Sequence, residues 1–219
     1  MEEVRSVLFD FDGLIADTEP LHFATFHQTL LEYDVELPPG TGRARFMGIH
    51  DRASFAIAFE EAGKPLGQET LAELLLRKAL LYQEGIGEIE IFDGVTETLA
   101  SIPPGLPFTI ASGGRRSEIS TVLENHGLAE LFPSFICSDD VDKSKPDPEC
   151  FLKGLELLQR SGHPGLTAAT CLTFEDSFRG IEAAGRAGMM CIAVTNSYGA
   201  EDLSEADQVL ASLREWAWS

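Results

Sequence analysis

Short apolar runs recur along the chain, at Val4 to Phe9, Phe108 to Ala111, Phe135 to Cys137, Thr170 to Phe174 and Met190 to Val194. They are mostly apolar rather than alternating, which is the pattern of strands buried on both faces of a parallel sheet. Helical stretches fall between the later runs. In one of them Gly180, Ala183, Ala184 and Ala187 are small residues at helical spacing, so that this helix can lie close on a sheet. The alternation predicts an α/β fold with a doubly wound, mainly parallel sheet.

Between about Thr18 and Ile91 the rhythm changes. Phe23, Phe26 and Leu30 share one helix face, and Phe55, Ala58, Phe59 and Ala62 share another, closed by Gly63. Leu71, Leu74 and Leu75 begin a third helix that ends near Gly85 and Gly87. No convincing strand falls here, so a helical cap inserted after the first strand is expected. The predicted division is an α/β core at 1–17 and 92–219 with a cap at 18–91. Such an insertion would sit over the carboxyl ends of the strands, where open α/β sheets bind ligands.

A length of 219 residues suffices for one good core or a core plus a modest second module. The formal net charge of −20 changes the picture more. It repels nucleic acid and anionic lipid, and it requires any anionic substrate to meet a locally positive site. The four cysteines, Cys137, Cys150, Cys171 and Cys191, form no CxxC pair and read as reduced, buried thiols. The acidic start M-E-E-V-R-S runs directly into a strand, and no apolar run approaches membrane-spanning length. A cytoplasmic protein is expected, either a monomer or a weak dimer, with no nucleic-acid or membrane partner.

Each strand end carries candidate chemistry. The first reads V-L-F-D-F-D-G-L-I-A-D-T-E-P, with Asp10 and Asp12 directly after an apolar run and Gly13 next. After the second strand comes Ser112-Gly113-Gly114-Arg115, where glycine lets backbone N–H groups approach an oxyanion. S-D-D-V-D-K-S-K-P-D-P-E places Lys145 before Pro146, and Glu175-Asp176-Ser177 opens the small-residue helix. Each has a bland alternative: a strand-ending turn, a solvated lysine, a helix N-cap. Taken together they gather four carboxylates at one sheet edge. A hard divalent cation with oxygen ligands would relieve that crowding.

These four ordered motifs, with K-P-D-P-E-C-F, F-E-D-S-F-R-G-I-E-A-A-G-R-A-G-M and the closing A-D-Q-V-L-A-S-L, resemble the haloacid dehalogenase superfamily of phosphohydrolases, in its branch with a helical cap. The resemblance implies that Asp10 is the nucleophile and forms an aspartyl-phosphate, and that Asp12 is the general acid and base. It implies that Mg²⁺ is bound by the Asp10 side chain, the Asp12 backbone carbonyl and Asp176, with Glu175 in support. Ser112 and Lys145 would hold the phosphoryl oxygens, helped by backbone at Gly113 and by Arg115. The second Asp of the motif argues against a dehalogenase.

The same resemblance implies an enzyme acting on a small phosphorylated metabolite, such as a sugar phosphate. β-Phosphoglucomutase is the alternative. Asp17, Thr18 and His22 match its D-T…H pattern, in which the His helps to position the acid/base. Its K-G-x-x-R cap motif is not matched: Met47 stands for the Lys and Asp51 for the Arg. A second phosphate would lose its cationic clamp unless Arg43, Arg45 or Arg52 substitutes. Arg45 and His50 are the expected cap contacts to substrate. An inactive binding module is disfavoured, because Asp10, Asp12, Ser112, Lys145 and Asp176 are all present.

Overall fold

The computed structural model describes residues 4–42, 45–46 and 49–218. Five strands, β1 (Ser6–Phe9), β2 (Phe108–Ile110), β3 (Cys171–Glu175), β4 (Met190–Val194) and β5 (Gln208–Leu210), form one parallel sheet in the order β2-β1-β3-β4-β5. The chain starts in the sheet's interior and winds outward on both sides, so this is the doubly wound α/β arrangement. β1 and β3 are buried along their whole length, which explains their mostly apolar sequence.

One expected strand is reduced. At Phe135 to Cys137 only Ile136 makes a parallel bridge, to Ala111. Pro133 lacks an N–H on one side, and the 3₁₀ turn Ser138–Asp140 cuts the segment off on the other. β5, conversely, comes from the closing segment, too short to stand out as an apolar run.

The chain divides into two compact units, Met1–Asp17 with Glu90–Ser219, and Thr18–Ile89. In the first, helices α6 (Glu149–Arg160) and α7 (Phe178–Ala187) bury Phe151, Leu155, Ile181, Ala183 and Ala184 with Leu8 of β1 in one core cluster. Phe9 stacks on Phe174 at 5.1 Å, and Trp216 meets Phe174 edge-on at 5.4 Å. Short helices α4 (Val95–Ala100) and α5 (Arg116–Asn125) complete this unit's helices. Where the chain leaves and re-enters it, Ala16 pairs with Ile91 and the Asp17 N–H donates to the Glu90 carbonyl at 2.9 Å.

The second unit has its own core. Its helices are α1 (Glu19–Glu32), α2 (Asp51–Glu61) and α3 (Gln68–Gly85), and they bury Phe26, Leu30, Phe55, Phe59, Leu71 and Leu74 together. Phe26 lies 5.0 Å from Phe55 and 4.8 Å from Phe46, ring centre to ring centre. No strand occurs among its described residues. No helix of the described residues is long and apolar enough to cross a membrane.

Candidate active site

The parallel sheet sets the site. Because all five strands run the same way, the residues that follow β1, β2, β3 and β4 emerge at one edge. Those residues are Asp10, Ser112, Asp176 and the Thr195-Asn196-Ser197 segment. Asp10 is anchored to the sheet through its N–H, which donates to the Phe174 carbonyl at 3.0 Å. The chain then turns sharply, with the Ile15 and Ala16 N–H groups both donating to the Phe11 carbonyl.

Asp10, Glu175 and Asp176 are all buried, and one carboxylate oxygen of each lies within 4.8 Å of the others. The Lys145 Nζ donates to Asp10 Oδ1 at 2.7 Å and to Glu175 Oε1 at 2.6 Å, and it also lies 4.6 Å from the centre of the Phe151 ring. The second oxygen of Glu175 accepts from the N–H groups of Asp176 and Ser177 and from the Ser177 hydroxyl. Both Glu175 oxygens are therefore engaged by protein donors. This suits a supporting rather than a leading role at a metal.

Three carboxylates face one ammonium, and the crowding perturbs Asp10 and Asp176. Burial pushes Asp10 up to about 7; Glu175 and Asp12 add to the rise, and Lys145 opposes it. Burial, then Glu175 and Asp10, hold Asp176 well above the usual carboxylate range. For Lys145 burial works against the charge, but Asp10 and then Glu175 outweigh it and keep the ammonium well above its ordinary range. The donor set is all oxygen, crowded and short of positive charge, and so it fits a hard divalent cation. Asp10 and Asp176 would offer side-chain oxygens to it.

Asp12 is placed differently. Its carboxylate is not one of this trio; Oδ2 accepts from the Ser112 hydroxyl at 3.2 Å. Ser112 in turn accepts from the Gly114 N–H at 3.0 Å. A Cβ on Gly114 would lie 2.7 Å from Asp12 Oδ2, and one on Gly180 would lie 1.8 Å from a Glu175 carboxylate oxygen. These glycines stand where carboxylates press against backbone. Gly113 is exposed with open space beside it, and Arg115 is exposed just ahead of α5.

Of the residues expected to select substrate in the helical unit, Arg45 and His22 have partners within the protein. Arg45 pairs with Glu61 at 2.9 Å. His50 is the residue before α2 and is exposed. Asp51 is the first residue of α2, and its carboxylate takes the ammonium of Lys78. Lys78, only 3% exposed, also lies 3.2 Å from Nδ1 of His22, whose ring stacks on Tyr82 at 4.4 Å. This Lys78–Asp51–His22 cluster, in which only Lys78 is buried, joins three helices and has no local signature in the sequence. Met47 and Arg43 lie outside the described residues.

Sequence reasoning also passed over Ser197 and Asn196. The Ser197 hydroxyl donates to Asp176 Oδ2, and the Asn196 side-chain amide donates to the Gly13 carbonyl at 2.9 Å. The signal that marks them is their place directly after a buried parallel strand.

Comparison with known proteins identifies the family. The haloacid dehalogenase-like hydrolase family model matches residues 7–194. A Bacillus subtilis (strain 168) protein named "Putative phosphatase YhcW" is 30% identical over 216 residues, covering 97% of this chain and 93% of that protein. The validoxylamine A 7'-phosphate phosphatase of Streptomyces hygroscopicus subsp. limoneus is 27% identical over 215 residues, covering 98% of this chain and 96% of that protein. Among solved structures, β-phosphoglucomutase of Clostridium difficile superposes with a TM-score of 0.81 at 22% identity, covering 98% of this chain and 94% of that one. This last likeness is one of fold. The family match spans four strands of the sheet, all three helices of the second unit and every carboxylate of the site, and the chain belongs to the haloacid dehalogenase-like hydrolases.

Proposed function

We propose that this hydrolase is a Mg²⁺-dependent phosphatase that cleaves a small phosphate monoester through a phosphorylated Asp10. The observation that carries the reading is the buried trio Asp10, Glu175 and Asp176 with Lys145 bonded to two of them. Crowded carboxylates opposite a fixed cation serve phosphoryl transfer, which depends on positioning and on neutralising developing charge. The relatives named as phosphatases support the same reaction class.

In the first step the Asp10 carboxylate attacks phosphorus in line with the leaving oxygen. The ester O–P bond breaks as the Asp10 O–P bond forms, and Asp12 delivers its proton to the departing alkoxide. Asp12 then takes a proton from water, the water oxygen attacks phosphorus, and Asp10 is released with inorganic phosphate. Ser112 and Lys145 hold phosphoryl oxygens. Mg²⁺, held by Asp10 and Asp176 side chains and the Asp12 carbonyl, would supply positive charge next to the phosphoryl group.

A phosphosugar mutase is the competing reading, and the helical unit argues against it. Asp51 stands in the place of the clamping arginine and is engaged with Lys78, and Arg45 is engaged with Glu61, so neither is free to clamp a second phosphate. The test is release of inorganic phosphate from an aryl phosphate and from a hexose 1-phosphate, with Mg²⁺ and with excess chelator. Release that requires Mg²⁺ is expected, without conversion of the hexose 1-phosphate to its 6-phosphate isomer. Full activity in chelator, or isomerisation in place of release, would overturn the reading.

A further inference from the structure

Lys145 has four rotatable side-chain bonds and must place its Nζ within 2.7 Å of one carboxylate and 2.6 Å of another. Its backbone lies in a polar, proline-rich loop outside any helix or strand, bounded by Ser144 and Pro146. Such a segment does not fix a side chain by itself, so the source of its rigidity has to lie elsewhere. The guanidinium of Arg179 donates from Nε at 3.1 Å and from Nη2 at 2.7 Å to one atom, the Lys145 carbonyl oxygen. Arg186, two turns further along the same helix, donates from Nη1 to the next carbonyl, that of Pro146, at 3.1 Å.

We propose that Arg179 is a positioning residue for Lys145, and that α7 sets the spacing of the whole charged cluster. Two bonds converging from a planar guanidinium on one carbonyl oxygen restrain direction as well as distance, more than a single donor does. The helix that carries Arg179 opens directly after Glu175 and Asp176. The Lys145 backbone and the carboxylates facing its ammonium are thus referred to one rigid element. Arg179 is half-buried, whereas the Arg186 side chain is about half exposed and also bonded to Glu182, so Arg179 is the principal anchor. Arg179 lies in the motif that follows β3, but its neighbours in the sequence do not disclose its role, because its contact is with a backbone atom 34 residues away.

The inference rests on the reading of Lys145 as a holder of phosphoryl oxygens, and the experiment separates the two. Turnover of an aryl phosphate and inhibition by inorganic phosphate are measured for Arg179→Ala, Arg179→Lys, Lys145→Ala and the double variant Arg179→Ala/Lys145→Ala. Arg160→Ala, an exposed arginine paired with Glu156, serves as the charge control. Loss of fixed geometry on the scale of 1 Å costs on the order of a hundredfold in rate, so a loss of about tenfold or more is expected for Arg179→Ala. Phosphate inhibition should weaken in parallel, and Arg179→Lys should recover part of both through its single bond. In the Lys145→Ala background Arg179→Ala should cost nothing further, because the group it positions is gone. If Arg179→Ala stays within twofold of the parent while Lys145→Ala is crippled, the inference is wrong. An equal Arg179→Ala loss with and without Lys145 also overturns it, since a purely structural role would give that result. Parent-level turnover in Lys145→Ala would instead sink the assignment of Lys145, and the inference with it. Should Lys145→Ala fail to fold, the order parent, Arg179→Lys, Arg179→Ala in phosphate inhibition decides alone.

Discussion

A Cβ on Gly13 would lie 1.9 Å from Oδ2 of Asp176 and 2.7 Å from the Ser197 hydroxyl. Gly13 also has φ near +79°, a region where L side chains cost roughly 1–2 kcal/mol. Glycine is required there twice, by conformation and by space. The turn after Asp12 therefore closes directly on the acid that follows β3. Gly13→Ala should displace Asp176 and weaken apparent Mg²⁺ affinity by about tenfold or more, with a fall in stability of about 2 kcal/mol. Mg²⁺ titration of activity and thermal unfolding check this; an unchanged Mg²⁺ dependence would mean that Asp176 is not a ligand.

Asp10→Asn should abolish turnover, because an amide is no nucleophile toward phosphorus at neutral pH. It also removes one charge from a crowded trio, so the metal-free variant should melt no lower than the parent. Asp12→Asn should lose most activity with ordinary alkyl phosphates and less with an aryl phosphate, whose leaving group needs no proton. Near-normal turnover by Asp10→Asn would remove the covalent mechanism.

The raised carboxyls give a pH dependence with a definite sign. Asp10 binds its proton more tightly in the folded chain, about 7, than at its ordinary value of 3.8. Below 3.8 both states carry the proton and folding costs nothing extra. As pH rises from there to 7 the unfolded chain gains, so the metal-free protein should lose stability, by a few kcal/mol in order of magnitude. Asp176 is shifted in the same direction and adds to this. A cation removes the penalty. Mg²⁺ should accordingly raise the melting temperature more at pH 7.5 than at pH 5, and equal increments at the two pH values would contradict the assignment.

In the helical unit, Asp51→Ala would leave the buried Lys78 ammonium without its carboxylate. Loss of one partner of a buried pair costs about 3–5 kcal/mol, but the Asp51 side chain is 44% exposed and water screens part of that. A loss of about 1–2 kcal/mol is expected, whereas Lys78→Met, which removes the charge and keeps the bulk, should cost less than Asp51→Ala. Thermal unfolding of the two variants decides the order, and the reverse order would show that Lys78 is held mainly by packing rather than by Asp51.

Much of the architecture was legible along the chain because it rests on local pattern. Buried parallel strands need continuous apolar runs, so β1 to β4 announce themselves. Phe26, Leu30, Phe55 and Phe59 keep helical spacing, so the second unit reads as helical. Asp10, Asp12, Ser112, Lys145, Glu175 and Asp176 stand at strand ends or in short motifs whose order is itself informative, and the structure brings them to one edge. β5 and the reduced pairing at Ile136 were less legible, since short edge segments depend on what lies beside them.

The alternation of strands and helices, the helical insertion and the identity of the charged groups at the strand ends can be read along the chain, because periodicity and turn chemistry are properties of neighbouring residues. Which of these groups meet depends on the packed fold. Lys145 reaches Asp10 across 135 positions, Arg179 takes the Lys145 carbonyl, Ser197 takes Asp176, and the buried Lys78 draws Asp51 and His22 together. Such contacts join residues distant in the chain through one or two hydrogen bonds, in the case of Arg179 to a backbone atom that any residue carries. They leave no periodicity to read, and they come into being only when the sheet and helices are packed.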